Sequence, residues 1–391
     1  MDGILLGRTR VAVLHNLPAP YRLQLFDRLL RDDDLEVKIF FTGRPHSNRP
    51  LWKSDFGLDD DRVAYLPGIS MPLRGRSADR INLNLGIGRI FSWDPEVVVL
   101  YGYQDFTNIL VAMLCAARGT PFVLSGEISY VWNSTFGGRI FSPVAGMVAR
   151  RATCLAPASK SCAAFFSMLG ARATCVKIIP PIPDVDRLAL QAEARRPKRE
   201  SIRSRFGLKG RFVVLYVGRL NDYKGIFEMF SAFDVVVPRE PRVCLVVVGR
   251  GPLESYVRKQ VSAHQANSIF LGNLGDEDLM DLFAASDIHI LPSWYEAYGV
   301  VAAESLAYGV PSIVTKTSGC SDLIIDGVNG FLIEPRDPSA IAEAILRASS
   351  NPALLSEMTR SARAGLEGFD MASLHQSMKN LIMAAKSQKK R

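Results

Sequence analysis

The sequence of 391 residues is poor in histidine and cysteine. It contains only five histidines, and none of its six cysteines belongs to a Cys-x-x-Cys pair. The cysteines stand mostly among apolar residues: Cys115, Cys154, Cys162, Cys175, Cys244 and Cys320. Scattered thiols in apolar surroundings are typical of buried, reduced side chains. We therefore expect a reducing, cytoplasmic environment and no disulfide framework.

Long hydrophobic runs are also missing. Nowhere do about 18 apolar residues follow one another, which is the length a membrane-spanning helix needs. The first residues, Met1 to Arg8, have no long apolar core followed by a cleavage site. We therefore expect neither secretion nor a membrane-spanning segment.

The positive charge is moderate and partly terminal. The formal net charge is +8. Four of the basic residues stand at the end of the chain: Lys386, Lys389, Lys390 and Arg391. The basic residues are not interleaved with aromatic ones, and no known nucleic-acid-binding module is present. The excess therefore favours an anionic substrate or an anionic membrane surface over a nucleic acid.

Short apolar strands alternate with helical stretches throughout, which predicts a doubly wound α/β fold. The length exceeds that of a single hydrophobic core, so two domains of about 200 residues are expected. The strands predicted in the first half are Val11–Leu14, Glu36–Phe41, Glu96–Tyr101, Pro121–Ser125, Thr153–Pro157 and Cys175–Ile179. Those of the second half are Phe212–Gly218, Arg242–Gly249, Ser268–Leu271, Asp287–Pro292, Pro311–Thr315 and Gly330–Ile333. Two helices follow Pro352, the second over Met371–Lys386.

A shift in composition separates the two sets of strands. Pro180-Pro-Ile-Pro183 is followed by the charged run Arg195–Glu200. We therefore predict one domain over residues 1–190 and another over residues 191–365. A helix and a basic tail then occupy residues 366–391.

Two glutamates, Glu296 and Glu304, stand eight residues apart where a predicted strand meets a predicted helix. Eight helical positions span about 12 Å and stay within a quarter-turn of one face. One carboxylate then lies at the mouth of the helix and the other two turns deeper. This suits a nucleotide diphosphate sugar, whose hydroxyl-bearing ends flank phosphates that rest on the helix N-terminus. Alternatively, Glu296 caps the helix and Glu304 is a solvated charge.

A second motif, Gly218-Arg219-Leu-Asn-Asp-Tyr-Lys224-Gly225, follows the first strand of the second half. Two fixed cations at this place would stabilise the charge that grows on a diphosphate leaving group, although basic loop residues are ordinarily solvated. Gly249 follows the next strand in Val-Gly-Arg-Gly-Pro. It either lines a nucleotide pocket or serves only the turn.

The segment from Ser293 to Pro311 resembles the Glu-x7-Glu signature of retaining glycosyltransferases of family 4. The resemblance continues through Ser318-Gly319 and Asp326–Pro335 and covers most of residues 211–350. It implies the GT-B architecture, in which two Rossmann-like doubly wound domains face each other across a cleft. The first domain would bind the acceptor and the second the donor, and a C-terminal helix would cross back to the first.

The same resemblance implies roles for individual residues. Arg219 and Lys224 match the pair that holds the diphosphate, and Gly218 would allow close backbone approach. Glu304 would accept hydrogen bonds from the ribose. The transferred sugar would be positioned by the Glu296 carboxylate together with the backbone amides of Tyr298 and Gly299.

No metal ion and no separate cofactor are expected, because Arg219 and Lys224 would supply the positive charge. Three acidic stretches have the composition of cation ligands: Asp32–Asp34, Asp59–Asp61 and Asp184-Val-Asp186. We place the last in the hinge between the domains and the others in exposed turns.

In the first domain the candidate acceptor-side residues are His15 and Glu127. His15 follows the first strand. Relatives often carry a histidine after a later strand, but the comparable stretch Val123–Tyr130 has none, and Glu127 is the proposed substitute or else a helix cap. Two basic segments, Arg74–Phe91 and Phe136–Arg151, are predicted as amphipathic helices that either lie on an anionic membrane or pack against the core.

Together these patterns predict a metal-independent retaining hexosyltransferase. It would move a sugar from a UDP- or GDP-sugar to a glycan or lipid-linked acceptor, in surface polysaccharide or glycolipid biosynthesis. A nucleotide-sugar epimerase of the same architecture is one alternative, although only His15 would supply a histidine in the cleft. The other is a non-catalytic sugar-nucleotide-binding scaffold, which has no evident need for all four charged residues of the second domain.

Overall fold

The computed structural model of the protein describes residues 7–44, 61–72, 80–103, 105–127 and 136–388. It divides into two compact units. The first comprises residues 1–183 together with 371–391, and the second is Asp184–Asp370. The division precedes the boundary near residue 190 that the composition indicated. The reason is that the charged run ends a helix of the second unit and does not form a linker.

The first unit is built on a seven-stranded parallel sheet. Its strands and one separate hairpin are, in chain order, β1 (Thr9–His15), β2 (Leu35–Phe41), β3 (Val63–Tyr65), the hairpin strands β4 (Gly68–Pro72) and β5 (Arg80–Asn84), β6 (Val97–Tyr101), β7 (Phe122–Gly126), β8 (Cys154–Pro157) and β9 (Cys175–Val176). Their order in the sheet is β3-β2-β1-β6-β7-β8-β9. The chain thus extends the sheet first to one side of β1 and then, from β6, to the other. Such a switch point is where open α/β sheets bind ligands.

Helices cover this sheet because its central strands are apolar on both faces. They are α1 (Pro20–Leu30), α2 (Gly88–Ser92), α3 (Phe106–Arg118), α4 (Phe136–Ala149) and α5 (Lys160–Met168). All five residues of β6 are buried, as are those of β7.

The prediction of an amphipathic helix over Arg74–Phe91 is wrong. The described part of Arg74–Phe91 begins with β5, which pairs with β4 as an antiparallel hairpin. Only a three-residue 3-10 helix, Leu85–Ile87, and the short α2 after it are helical. The apolar residues Ile81, Leu83, Leu85 and Ile87 recur at every second position, which is the period of a strand. Arg74 and Arg76 lie outside the described residues.

The other basic segment does contain a helix, α4. Its Val148 is buried in the core of the first unit. Arg150, just after the helix, donates a hydrogen bond to the Leu169 carbonyl at 3.1 Å. At these positions the segment packs against its own unit.

The second unit has a six-stranded parallel sheet. Its strands are β10 (Phe212–Val217), β11 (Val243–Val248), β12 (Ser268–Gly272), β13 (Ile288–Leu291), β14 (Ser312–Thr315) and β15 (Gly330–Ile333). Its helices are α6 (Val185–Arg195), α7 (Arg199–Arg205), α8 (Ile226–Val236), α9 (Glu254–Ala263), α10 (Asp276–Ala285), α11 (Val300–Ala307), α12 (Pro338–Ser349) and α13 (Pro352–Ser361). The strand order β12-β11-β10-β13-β14-β15 puts the switch point between β10 and β13.

The last helix, α14 (Met371–Gln388), belongs to the first unit. It packs on α1 and on the strands β6 to β9. Its buried face consists of Met371, Leu374, Met378, Leu381, Ile382 and Ala385. Lys379 pairs with Asp32 at 3.0 Å, and Lys386 pairs with Glu96 at 3.0 Å. The predicted C-terminal helix is therefore present, and its apolar stripe completes the core of the first unit.

Within the described ranges, no helix combines the length and the apolar character that crossing a bilayer requires.

Candidate functional site

The principal candidate site lies at the switch point of the second unit. Lys224 stands in the loop after β10, and Glu296 stands between β13 and α11. Adjacent parallel strands end at the same edge of the sheet, so these two loops meet. The Lys224 ammonium forms an ion pair with the Glu296 carboxylate, and the two side chains are 13% and 16% exposed. The fold thus places two predicted site residues, 72 positions apart, in direct contact.

Glycines let the backbones at this edge approach closely. A Cβ on Gly249, whose φ is +145°, would lie 1.8 Å from the Gly218 carbonyl oxygen. A Cβ on Gly225 would lie 2.1 Å from the Pro292 carbonyl oxygen. No side chain fits in either place. This packing accounts for Gly225 and Gly249 without any ligand, whereas a Cβ on Gly218 would lie 3.0 Å from the Tyr216 hydroxyl oxygen.

Arg219 supplies a second cation in the same loop. Its side chain is exposed, and no described residue forms an ion pair or hydrogen bond with its guanidinium. Its carbonyl accepts a hydrogen bond from the hydroxyl of the buried Tyr216 at 2.8 Å. The backbone at Arg219 is therefore held while the charged group stays available to a ligand.

The start of α11 offers backbone donors beside this pair. Gly299 is the N-cap residue, with φ +96°, and in the described chain no side chain caps the first N–H groups of the helix. Tyr298 is buried, and its carbonyl accepts from the Cys320 amide at 2.6 Å. Uncapped N–H groups at a helix start attract anions.

Glu304 lies within α11 and is half-buried. Its carboxylate has no hydrogen bond or ion pair with any residue that the structure describes. Burial, assisted by the nearby negative charge of Asp276, raises the pKa of Glu304 to about 7. An unpartnered carboxyl group of this kind is suited to accept hydrogen bonds from hydroxyl groups.

This pKa has a consequence for stability. Because the folded-state pKa is about 7 and the ordinary value is 4.5, the folded protein holds the proton over that range while the unfolded chain has lost it. We expect the free energy of unfolding to fall as pH rises from 4.5 to about 7, by at most about 3 kcal/mol and less where water reaches the carboxyl group. Urea titrations across this range measure the slope. In Glu304→Gln it should be shallower, and an unchanged slope would disprove the assignment.

The first unit brings its two candidates to its own switch point. His15 ends β1, is buried, and packs against the Tyr101 ring at 4.9 Å between centroids. Glu127 follows β7 and accepts a hydrogen bond from Arg22 Nη2 at 3.0 Å. Sequence reasoning missed Arg22. The available signal was its place on the apolar face of α1, in line with Phe26 and Leu29.

Two of the three acidic stretches have structural roles. Asp184 caps α6 by accepting from the Arg187 amide at 3.0 Å. Asp32 pairs with α14 through Lys379. Asp59 and Asp60 lie outside the described residues. Over the described ranges, no group of three or more histidine, cysteine or acidic side chains is arranged to hold a metal ion. All six cysteines are free, and only Cys175 is not buried.

Two doubly wound parallel units, with the last helix returned to the first, define the GT-B type of fold. The Anabaena protein HepE, in a complex with UDP, shares this fold with a TM-score of 0.75 and 19% identity, over 96% of this chain and 100% of its own. Sucrose-phosphate synthase from Thermosynechococcus elongatus has a TM-score of 0.72 and 17% identity, over 97% of this chain and 100% of its own.

Sequence similarity identifies the second unit more closely. Residues 198–365, which make up most of the second unit, match the family model described as "Glycosyl transferases group 1". The chain is 30% identical over 176 residues to glycogen synthase of Mycobacterium tuberculosis, which is 44% of this chain and 42% of that protein. It is 31% identical over 195 residues to mannosylfructose-phosphate synthase of Agrobacterium fabrum, which is 47% of this chain and 42% of that protein. The matches thus span less than half the length of these curated relatives.

Proposed function

We propose that the protein is a glycosyltransferase that moves a sugar from a UDP- or GDP-sugar to a hydroxyl group of a glycan or lipid-linked acceptor, with retention of configuration. The observation that carries the proposal is the contact between Lys224 and Glu296 at the switch point of the second unit. The exposed Arg219 and the uncapped start of α11 add anion-binding groups there. A relative with this fold binds UDP and, in another complex, UDP-glucose, which supports the donor class.

Each group of the site has a chemical task in this proposal. Arg219 and Lys224 hold the diphosphate and stabilise the charge that grows on it as the glycosidic bond breaks. Glu296, with the backbone amides of Tyr298 and Gly299, positions the transferred sugar. Glu304 accepts hydrogen bonds from the ribose.

Retention requires the acceptor hydroxyl to attack the face that the leaving group departs from. The departing diphosphate oxygen takes the proton of the attacking hydroxyl group, so the proposal needs no covalent sugar–protein intermediate. The acceptor belongs to the first unit, near His15 and Glu127. A role in surface polysaccharide or glycolipid biosynthesis fits such an acceptor.

An anionic membrane surface stays a proposed partner. One of the four C-terminal basic residues, Lys386, is already paired with Glu96 at 3.0 Å, and it therefore contributes less free charge than the sequence indicates. The other three lie outside the described residues.

The proposal is tested by incubating the full chain with a panel of UDP- and GDP-sugars in EDTA and measuring nucleoside diphosphate release. We expect release with at least one donor, and we expect it to persist in EDTA because Arg219 and Lys224 supply the positive charge. Activity that disappears in EDTA and returns with Mg²⁺ or Mn²⁺ would refute metal independence. Epimer formation without release would establish the epimerase, and donor binding without turnover would establish the scaffold.

A further inference from the structure

A polar cluster lies buried at the switch point of the first unit, and its main member is Arg22. His15 ends β1, Tyr101 ends the adjacent β6, and Ser125 stands near the end of β7. Arg22 extends from the first turn of α1, with its guanidinium carbon 5.0 Å from the centre of the Tyr101 ring. Glu127 follows β7. The cluster thus occupies the edge where an open α/β sheet binds ligands.

The cluster contains more hydrogen-bond donors than acceptors. The Arg22 side chain is 1% exposed and uses Nη2 to bind Glu127 at 3.0 Å. Its Nε and Nη1 atoms are buried and have no hydrogen-bond partner in the part of the chain that the structure describes. The same holds for the Tyr101 hydroxyl and the Ser125 hydroxyl. Burying such groups unpaired is costly, so native proteins rarely concentrate them in one place without a ligand.

The charges of the cluster select the kind of ligand. Burial raises the pKa of Tyr101 to about 12, so its hydroxyl stays protonated. Arg22 and Glu127 together are neutral, and a bound phosphate or carboxylate would leave an uncompensated buried negative charge. A hydroxyl group keeps the site neutral, since it accepts from Arg22 and donates to the free oxygen of Glu127.

We infer that Arg22 and Glu127 form a clamp for a hydroxyl group of a neutral sugar or polyol acceptor, and that both side chains bind this hydroxyl group directly. This inference rests on the proposed function, which it deepens by naming the chemistry of the acceptor. Tyr101 and Ser125 supply further hydrogen bonds to the same molecule. An acceptor whose phosphate or carboxylate occupied this cluster is incompatible with the inference.

The test is saturation-transfer difference NMR on the full chain, with methyl hexopyranosides and myo-inositol as neutral probes and inorganic phosphate as the anionic probe. The variants are Glu127→Gln, which keeps the shape and removes the charge, and Arg22→Gln. Glu96→Gln is the matched control: Glu96 is 30% exposed against 32% for Glu127, it is also paired with a cation, and it precedes β6 at the opposite edge of the sheet. Thermal unfolding shows whether each variant is folded.

We expect at least one neutral probe to bind the wild type and Glu96→Gln, and to bind Glu127→Gln at least about 10-fold more weakly, the loss of one hydrogen bond to a charged group. Arg22→Gln should show the same loss of affinity if it folds. If it does not fold, the result for Glu127→Gln alone tests the inference, because Glu127 is partly exposed and its replacement disturbs the core less. Phosphate that binds, and binds more tightly to Glu127→Gln, would overturn the inference. So would the absence of any neutral probe that distinguishes Glu127→Gln from the wild type. Nucleoside diphosphate binding, measured in the same samples, tests the donor site of the second unit. If the diphosphate binds and no neutral probe does, the inference fails while the proposed function stands.

Discussion

Replacement of Glu296 by glutamine is expected to lower kcat by about 10²-fold or more, a loss of at least about 2.7 kcal/mol of transition-state stabilisation. Glu296 holds Lys224 through an ion pair and is proposed to position the sugar at the reacting carbon. The ion pair and the positioning of the sugar both stabilise the transition state, in which charge separates, more than they stabilise the bound donor. The affinity for nucleoside diphosphate should be retained, because Arg219 and Lys224 remain.

Two further variants are compared with Glu296→Gln. Glu240→Gln is the structural control, because Glu240 has the same 16% exposure and is also paired with a basic residue, Arg242, but precedes β11 at the opposite edge of the sheet. It should keep full activity. Glu304→Gln should raise the donor KM more than it lowers kcat, since a ribose contact contributes before and during the reaction alike. Normal turnover in Glu296→Gln would remove the main support for the proposed function.

Replacement of Lys224 by alanine is expected to weaken nucleoside diphosphate binding by roughly 1.5–3 kcal/mol, the usual value of a hydrogen bond to a charged group. The structure adds a second effect, because the Glu296 carboxylate then stays half-buried without its cation and repels the phosphates. Arg219 has no such partner among the described side chains. We therefore expect Arg219→Ala to cost less than Lys224→Ala, and both costs to be measurable by calorimetric titration.

A double-mutant cycle separates the two effects. Lys224→Ala combined with Glu296→Gln removes the cation and the repelling charge together, and the double variant should bind the diphosphate better than Lys224→Ala alone. Strict additivity of the two substitutions would show that the ion pair has no bearing on binding. Unchanged affinity in both Lys224→Ala and Arg219→Ala would place the diphosphate elsewhere.

The sheets were predictable because buried parallel strands are continuous apolar runs. Each predicted strand overlaps an observed one, and Gly330–Ile333 has the same limits in both. The strands that sequence reasoning missed are short or lie outside the core: β3 has three half-buried residues, and β4 and β5 pair only with each other. The alternation of apolar residues through β5 was a strand signal inside a segment whose arginines suggested a helix.

The candidate site was only partly predictable. Glu296 and Glu304 share a local motif, so their spacing along one segment could be inferred. The contact of Lys224 with Glu296 depends on the strand order, which no local pattern reveals. Arg22 and Glu127 are 105 positions apart, and only the sheet brings them together.

Because α14 packs on the first unit, the first unit cannot complete its core until the end of the chain has been synthesised. Residues 184–370 form a continuous unit and leave the ribosome before the helix that supplies Met378 and Ile382 to the core of the other. Until then, the apolar surface over β6 to β8 that α14 covers stays open to water and to other chains. The second unit is thus free to fold first, and the nascent first unit is the part that chaperones would need to protect.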